Sequence, residues 1–299
     1  MQRLIAIDWG TSSLRGALIE NARVAEVAQE RTFSRGILTV EPGGFASVFE
    51  SCFGDWMTPD ALCLISGMAG SQQGWLEAPY CPCPAGFDDV AARLAWIVPD
   101  RIAIVPGLRI DMGGMPDVMR GEETQVFGAL QLLELNDARL VLPGTHSKWV
   151  TVTDRKITDF SSWMTGEFYA LLRQHSILAR TLPAADPTHD VDAFEQGVTV
   201  ALRGDGLLHT AFSVRTLALF QRMAADALPS YLSGLVIGEE LRGQRLQRGD
   251  TVIVIGAEAL AARYEQALSL LAVSCRQVGS QATWQGLRAI ADTLNPNAP

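Results

Sequence analysis

The spacing of apolar and polar positions changes repeatedly along the chain and marks out alternating strands and helices. Leu4–Ile7 is a continuous apolar run that stops at Asp8, Gly10 to Ser13 form a small polar bend, and Leu14–Ile19 is apolar again. Apolar runs bounded by turn residues are what buried strands require, so this opening predicts a hairpin with Asp8 at the end of its first strand. Beyond it the pattern predicts a stretch over Arg23–Phe33, a helix near Gly44–Phe53, and strands at Ala61–Ser66 and Ile102–Val105. Gly121–Leu135 sets Val126, Phe127, Leu130 and Leu133 on one helical face, behind the acidic first turn that helix starts prefer.

A second hairpin repeats the logic of the first. Leu140–Leu142 is apolar, Pro143 to Lys148 reads as a loop, Trp149–Thr153 alternates, and Asp154 to Lys156 turns again. Helices are expected at Gly166–Leu178, Phe194–Leu202, Leu217–Arg245 and Glu258–Leu271, with a Pro- and Asp-rich loop near Pro183–Asp192. Thr251–Ile255 is a strand that Gly256 and Ala257 lead into a helix, and a last short helix closes the chain. Alternation of this kind predicts an α/β protein.

Each hairpin turn carries chemistry as well as geometry. A carboxylate at a strand end is costly without a cation, and the small residues after Asp8 place hydroxyl and amide donors where phosphate oxygens bind. Together they point to a metal–phosphate site, although small polar residues also make turns for backbone reasons alone. The chain has neither G-x-x-x-x-G-K-[ST] nor G-x-G-x-x-G opening a helix. Two such hairpins predict two α/β halves, residues 1–135 and 136–299, that present their turns to one ligand.

Composition narrows the classes. The chain has 299 residues, 48% hydrophobic, with mean hydropathy +0.14, which is enough for two globular cores. A net charge of −9 and a pI near 5.0 argue against a nucleic-acid partner. No apolar run reaches membrane-span length and no signal-peptide pattern opens the sequence, so a cytoplasmic chain without a membrane partner is expected. Five scattered cysteines predict reduced thiols, and the four histidines are too dispersed to form a sequence-local metal site.

Five segments, IDWGTSSLRGALI, SGMAGSQQGW, DMGGMPDVMRGEETQVFG, LPGTHSKWV and MTGEFYALLRQHSIL, occur in that order. Together they resemble the 2-keto-3-deoxygalactonate kinase family, within the superfamily of actin, heat-shock ATPases and sugar kinases. The resemblance spans nearly the whole chain. It implies two ribonuclease-H-like, actin-like ATPase domains flanking a nucleotide cleft, the last helix returning toward the first domain. It also implies ATP-dependent phosphorylation of 2-dehydro-3-deoxy-D-galactonate at its 6-hydroxyl, in galactonate catabolism. Another carbohydrate kinase of the superfamily, or a non-catalytic sugar or nucleotide sensor, is the alternative. The reading leaves room for a homodimer.

Under that resemblance Asp8 is the expected magnesium ligand. Gly10, Thr11, Ser12 and Ser13 would hold phosphates from the first half and Gly144, Thr145 and Ser147 from the second, with Lys148 supplying a point charge or standing exposed at a strand start. Gly256 and Ala257 would let adenosine lie against the backbone. The base is expected at Glu123 or Glu122, with Asp111 and Asp117 of the glycine-rich loop as competitors. Acidic residues also favour a first helical turn for electrostatic reasons alone. Arg109 or Arg120 would take the sugar carboxylate. Ser66, Gly67 and Met68 would contact the acceptor, and His146 and Glu167 are further candidates for it.

Overall fold

A computed structural model describes residues 3–20 and 27–294. In chain order the strands and helices of the first part are β1 (Leu4–Trp9), β2 (Leu14–Ile19), β3 (Val27–Phe33), α1 (Phe45–Phe53), β4 (Leu62–Gly67), β5 (Cys81–Pro82), α2 (Phe87–Ala91), β6 (Ala95–Val98), β7 (Ile102–Ile104), β8 (Leu108–Met112), β9 (Met115–Met119) and α3 (Glu122–Leu133). There follow β10 (Ala138–Leu142), β11 (Ser147–Thr153), β12 (Lys156–Trp163), α4 (Thr165–His175), α5 (Val191–Leu202), α6 (Leu207–Thr210), α7 (Ser213–Leu219), α8 (Leu228–Gly243), β13 (Thr251–Ile255), α9 (Glu258–Leu270), β14 (Ser274–Val278) and α10 (Gln281–Leu294).

Two sheets share one plan. The first runs β3-β2-β1-β4-β7-β6 and the second β12-β11-β10-β13-β14. In each, a hairpin and a third strand lie on one side of the opening strand, and later strands are added on the other. β4 joins β1 in parallel, as β13 joins β10, and parallel neighbours need crossover connections. The hairpin turns therefore stand at the carboxyl end of each sheet's opening strand. A small third sheet, β5-β8-β9, carries the residues 108–119.

The chain divides into two compact units. One comprises the described residues up to Ala138 with Val150–Ser161 and those from Val278 onward, and the other Arg139–Trp149 with Ser162–Gln277. In the first, Ile5, Ile7 and Trp9 of β1 pack with Phe45, Phe49 and Phe53 of α1, three rings repeating every helical turn. In the second, Val141, Val252 and Val254 pack with α5, α8 and α9. Helix α8 is buried almost all round, so its sequence carries little amphipathic signal.

Several expected boundaries change. β1 runs to Trp9, so Asp8 lies inside the strand, one residue from its end. β11 begins at Ser147, which places Ser147 and Lys148 in a buried strand, and Lys156 already belongs to β12. The expected helix over Leu217–Arg245 is two helices. Pro229, lacking an N–H, is accommodated only in a first turn, and it occupies the first turn of α8. The glycine-rich segment around Asp111 and Asp117 is a β-hairpin, with Gly113 and Gly114 at φ of +64° and +80° forming its two-residue turn. Of the segment expected over Arg23–Phe33, residues 23–26 lie outside the described residues and 27–33 form β3.

Helix α10 packs on α3 through small residues. A Cβ at Gly128 would stand 1.7 Å from the Ala282 carbonyl oxygen, and one at Gly286 1.7 Å from that of Thr124. Neither backbone can yield without parting the helices. Gly286→Ala is expected to cost stability at or above the upper end of the ~1–3 kcal/mol typical of overpacking. A lowered midpoint in thermal denaturation followed by circular dichroism checks this.

Candidate active site

In the first unit the turn after β1 is clamped from behind. The Gly10 N–H donates to the Ser13 carbonyl at 2.9 Å, and the carbonyls of Gly10 and Thr11 accept from Ile37 and Leu38. Thr11 and Ser12 are exposed. Asp8 stands opposite Arg15 in the β1–β2 register, and the Arg15 guanidinium donates to Asp8 Oδ2 at 2.5 Å. The cation that a carboxylate here demands is thus supplied across the hairpin. Both side chains are partly exposed, so the pair orients Asp8 more than it stabilises the fold.

Two glycines bring β4 and α3 to this carboxylate. Gly67, at φ +91°, has room for no side chain: a Cβ would lie 2.8 Å from the Trp9 carbonyl and 3.3 Å from Asp8 Oδ1. Gly121, at φ +106°, packs on it, with its own Cβ position 3.3 Å from the Gly67 Cα. Left-handed conformations of this kind favour glycine. The junction is tied by side chains: Thr124 Oγ1 donates to the Gly121 carbonyl at 2.7 Å and lies 3.1 Å from Ser66 Oγ. Asp8, Ser66, Gly67, Gly121 and Glu123 are therefore gathered in one place.

Glu123 is wholly buried at this junction. Its Oε2 accepts the Gly121 N–H at 2.7 Å, while Oε1 has no hydrogen-bond partner among the described residues. Burial, reinforced by the neighbouring Glu122 charge, pushes its carboxyl up to about 8. Glu122 accepts the Arg120 backbone N–H at 3.0 Å. Arg120 lies over the Tyr80 ring, 4.3 Å from its centroid, and donates from Nη2 to the Ala78 carbonyl at 2.9 Å. Its Nε and Nη1 are buried without acceptors among the described residues. Met68 begins the short turn after β4, while Arg109 and Asp111 are exposed on β8.

The second unit gathers the other candidates. Gly144 and Thr145 meet the start of α4. A Cβ at Gly166 would stand 2.5 Å from the Gly144 carbonyl oxygen, and the Glu167 N–H donates to the Thr145 carbonyl at 3.0 Å. His146 Nε2 lies 2.5 Å from Glu167 Oε2, the histidine exposed and the glutamate half-buried. Lys148 is buried, not an exposed strand-start lysine, and its ammonium donates to Ser162 Oγ at 2.5 Å. Gly256 lies beside Pro143, and Ala257 caps α9. A cavity of about 70 Å³ is lined by Gly144, Thr165, Gly166, Ser233, Leu260 and Tyr264.

Sequence reasoning missed Arg15, Tyr80, Glu240 and Tyr264. A signal existed for Glu240, an acid following the apolar stretch LPSYLSGLVIG. Arg15 carried no such signal, since its place opposite Asp8 is set by the β1–β2 register.

The family described as 2-keto-3-deoxy-galactonokinase matches residues 8–290. The chain belongs to that family. It is 34% identical over 98% of both chains to the 2-dehydro-3-deoxygalactonokinase of Escherichia coli (strain K12). A solved structure from Sinorhizobium meliloti, assigned as a 2-dehydro-3-deoxygalactonokinase protein, is 34% identical, covers 99% of this chain and 100% of its own, and superposes with a TM-score of 0.90. Component A of (R)-2-hydroxyglutaryl-CoA dehydratase from Acidaminococcus fermentans, 13% identical, covers 97% of this chain and 96% of its own with a TM-score of 0.52, a likeness of fold alone. Both units are α/β. Among the described residues no helix is long and apolar enough to cross a membrane, and no three acidic, His or Cys side chains are grouped to hold a metal.

The raised Glu123 carboxyl has a stability consequence. Its folded value of about 8 lies above the ordinary 4.5, so the stability it contributes is full below about pH 4.5 and lost as pH rises through about 8. Glu123→Gln is isosteric and does not ionise. Its melting temperature relative to the parent should therefore rise steadily between about pH 5 and about pH 9, by an amount worth several kcal/mol at the alkaline end. Paired thermal melts across that range check it.

Proposed function

We propose that this chain transfers the terminal phosphoryl group of ATP to the 6-hydroxyl of 2-dehydro-3-deoxy-D-galactonate. The observation that carries the reading is the convergence of Asp8, Gly67, Gly121 and Glu123 in a chain of this kinase family. Phosphoryl transfer asks little covalent chemistry of a protein; it needs clamped phosphates, neutralised charge and an acceptor hydroxyl held in line.

Asp8 suits a magnesium ion. Its Oδ2 is held by Arg15, while Oδ1 has no hydrogen bond among the described residues and faces the side-chain-free Gly67. Magnesium retains much of its water and takes one or two carboxylates, so a single carboxylate is a sufficient protein donor. When bound, the ion would supply charge neutralisation at the phosphate oxygens. Thr11 and Ser12 offer exposed donors in the turn after β1, and Thr145 an exposed hydroxyl in the turn after β10. Lys148, buried with a serine hydroxyl as its one partner among the described residues, contributes positive charge to an otherwise acidic chain.

Glu123 is the base in this reading, and because its Oε1 is enclosed, the junction over it must open for the acceptor hydroxyl to deliver its proton there. Arg120 is the partner of the sugar-acid carboxylate in this reading, since an arginine fork matches that group, and its enclosed Nε and Nη1 would have to be uncovered to meet it. Buried guanidinium nitrogens without acceptors are costly, and an incoming carboxylate relieves that cost.

ADP release measured over a panel of sugar acids and neutral hexoses tests the substrate. The keto-deoxy acid should be turned over far faster than glucose or galactose, which leave the arginine unpaired. Preference for a neutral hexose would keep a kinase and overturn its acceptor. Asp8→Asn should keep its circular dichroism spectrum and lose most turnover.

The base is tested by comparing variants. Glu123→Gln should lower kcat by ~10²–10⁴-fold, while Asp111→Asn on its exposed strand leaves kcat near the parent value. Because an acid must be ionised to accept a proton, kcat/KM of the parent should rise as pH climbs through about 8. The residual activity of Glu123→Gln should lack that rise. A full loss in Asp111→Asn with an active Glu123→Gln would transfer the role.

A further inference from the structure

Glu240 lies in α8, 1% exposed, among the apolar residues that fill the second unit. Its Oε1 accepts the Trp149 indole N–H at 2.7 Å, and its Oε2 accepts the Tyr264 hydroxyl at 2.8 Å and the Thr165 hydroxyl. The Tyr264 oxygen in turn lies 3.0 Å from Ser147 Oγ. Among the described residues no cation is paired with this carboxyl. Burial pushes it upward, and pushes the Tyr264 hydroxyl well above its ordinary range.

Packing alone does not account for such a group. Isoleucine or leucine occupies neighbouring positions of the same helix, and an apolar side chain of similar volume at 240 would avoid the desolvation that a buried carboxyl carries. What singles it out is where its donors come from. Ser147 and Trp149 are in the first three residues of β11, directly after the Gly144–His146 turn. Thr165 is the first residue of α4, whose Gly166 and Glu167 touch Gly144 and Thr145. Tyr264 comes from α9. The carboxyl therefore grips both elements that shape the turn, from partners 75 and 91 residues away.

We propose that Glu240 is a positioning residue for the nucleotide: it locks the start of β11 to the start of α4 and so sets the shape of the Gly144–Thr145 turn. The inference rests on the reading that this turn holds nucleotide phosphates. Glu240 touches no phosphate itself. It acts through Ser147, Thr165 and Tyr264, satisfying hydroxyl groups that would otherwise move to find partners in or near the site.

Three variants test it: Glu240→Leu removes the acceptors at similar volume, Glu240→Gln keeps an acceptor, and Tyr264→Phe keeps the ring but breaks the link to Ser147. ADP binding is measured by calorimetry, alongside KM for ATP, KM for the sugar acid, kcat and melting temperature. Glu240→Leu should weaken ADP binding and raise the KM for ATP by about tenfold or more. Its KM for the sugar acid should stay within about twofold of the parent. Glu240→Gln should recover most of the nucleotide affinity, and Tyr264→Phe should fall between. A folded Glu240→Leu that binds ADP like the parent overturns the proposal. So does a loss spread evenly over both substrates that Glu240→Gln does not rescue. If Glu240→Leu fails to fold, unchanged ADP affinity in Tyr264→Phe overturns it instead. A parent chain that binds ADP but phosphorylates no sugar acid overturns the kinase reading alone, and one that binds no ADP overturns both.

Discussion

The contact between Gly67 and Gly121 is the constraint on which the first unit's candidate site depends. Both residues hold positive φ, and neither could carry a side chain without displacing backbone or straining its own conformation. Only because both are glycine does the end of β4 reach the start of α3 while lying against Asp8. Thr124 and Ser66 then close the junction by hydrogen bonds. Glu123 is buried because the junction is tight, and its carboxyl is displaced because it is buried. The chemistry proposed for that carboxyl thus derives from a backbone approach, not from a neighbouring charge alone.

Each unit contains a fully buried glutamate, and the two are handled differently. Glu240 has both oxygens occupied by donors from three elements, so its burial is compensated and it knits those elements together. Glu123 has one oxygen occupied and one empty, facing a Glu122 charge. A satisfied buried acid rigidifies its surroundings; an unsatisfied one costs stability and retains capacity to accept a proton. That contrast separates a positioning role from a reacting one. Arg120 and Lys148 extend it to cations, since both are short of acceptors in a chain of net charge −9.

The hairpin and helix pattern, the family and most strand positions could be read from the sequence, because they rest on local periodicity and on ordered short segments. β2 and β13 fall within their expected residues for that reason. The break before α8 was obscured, since apolar residues continue on both sides of Pro229. The β8–β9 hairpin was read as a loop because its glycines dominate so short a stretch.

By itself the sequence determined that two strand–turn–strand units of small polar residues stand in an α/β chain, and that Asp8 needs a cation. Tertiary structure alone decided that Arg15 is paired with Asp8, because register is a pairing between strands that no local pattern states. It also decided that Glu123 is buried with an empty oxygen and that Glu240 lies beneath the second turn. Both are consequences of which helix packs where, and the desolvation that distinguishes them from ordinary surface acids arises only when those helices close over them.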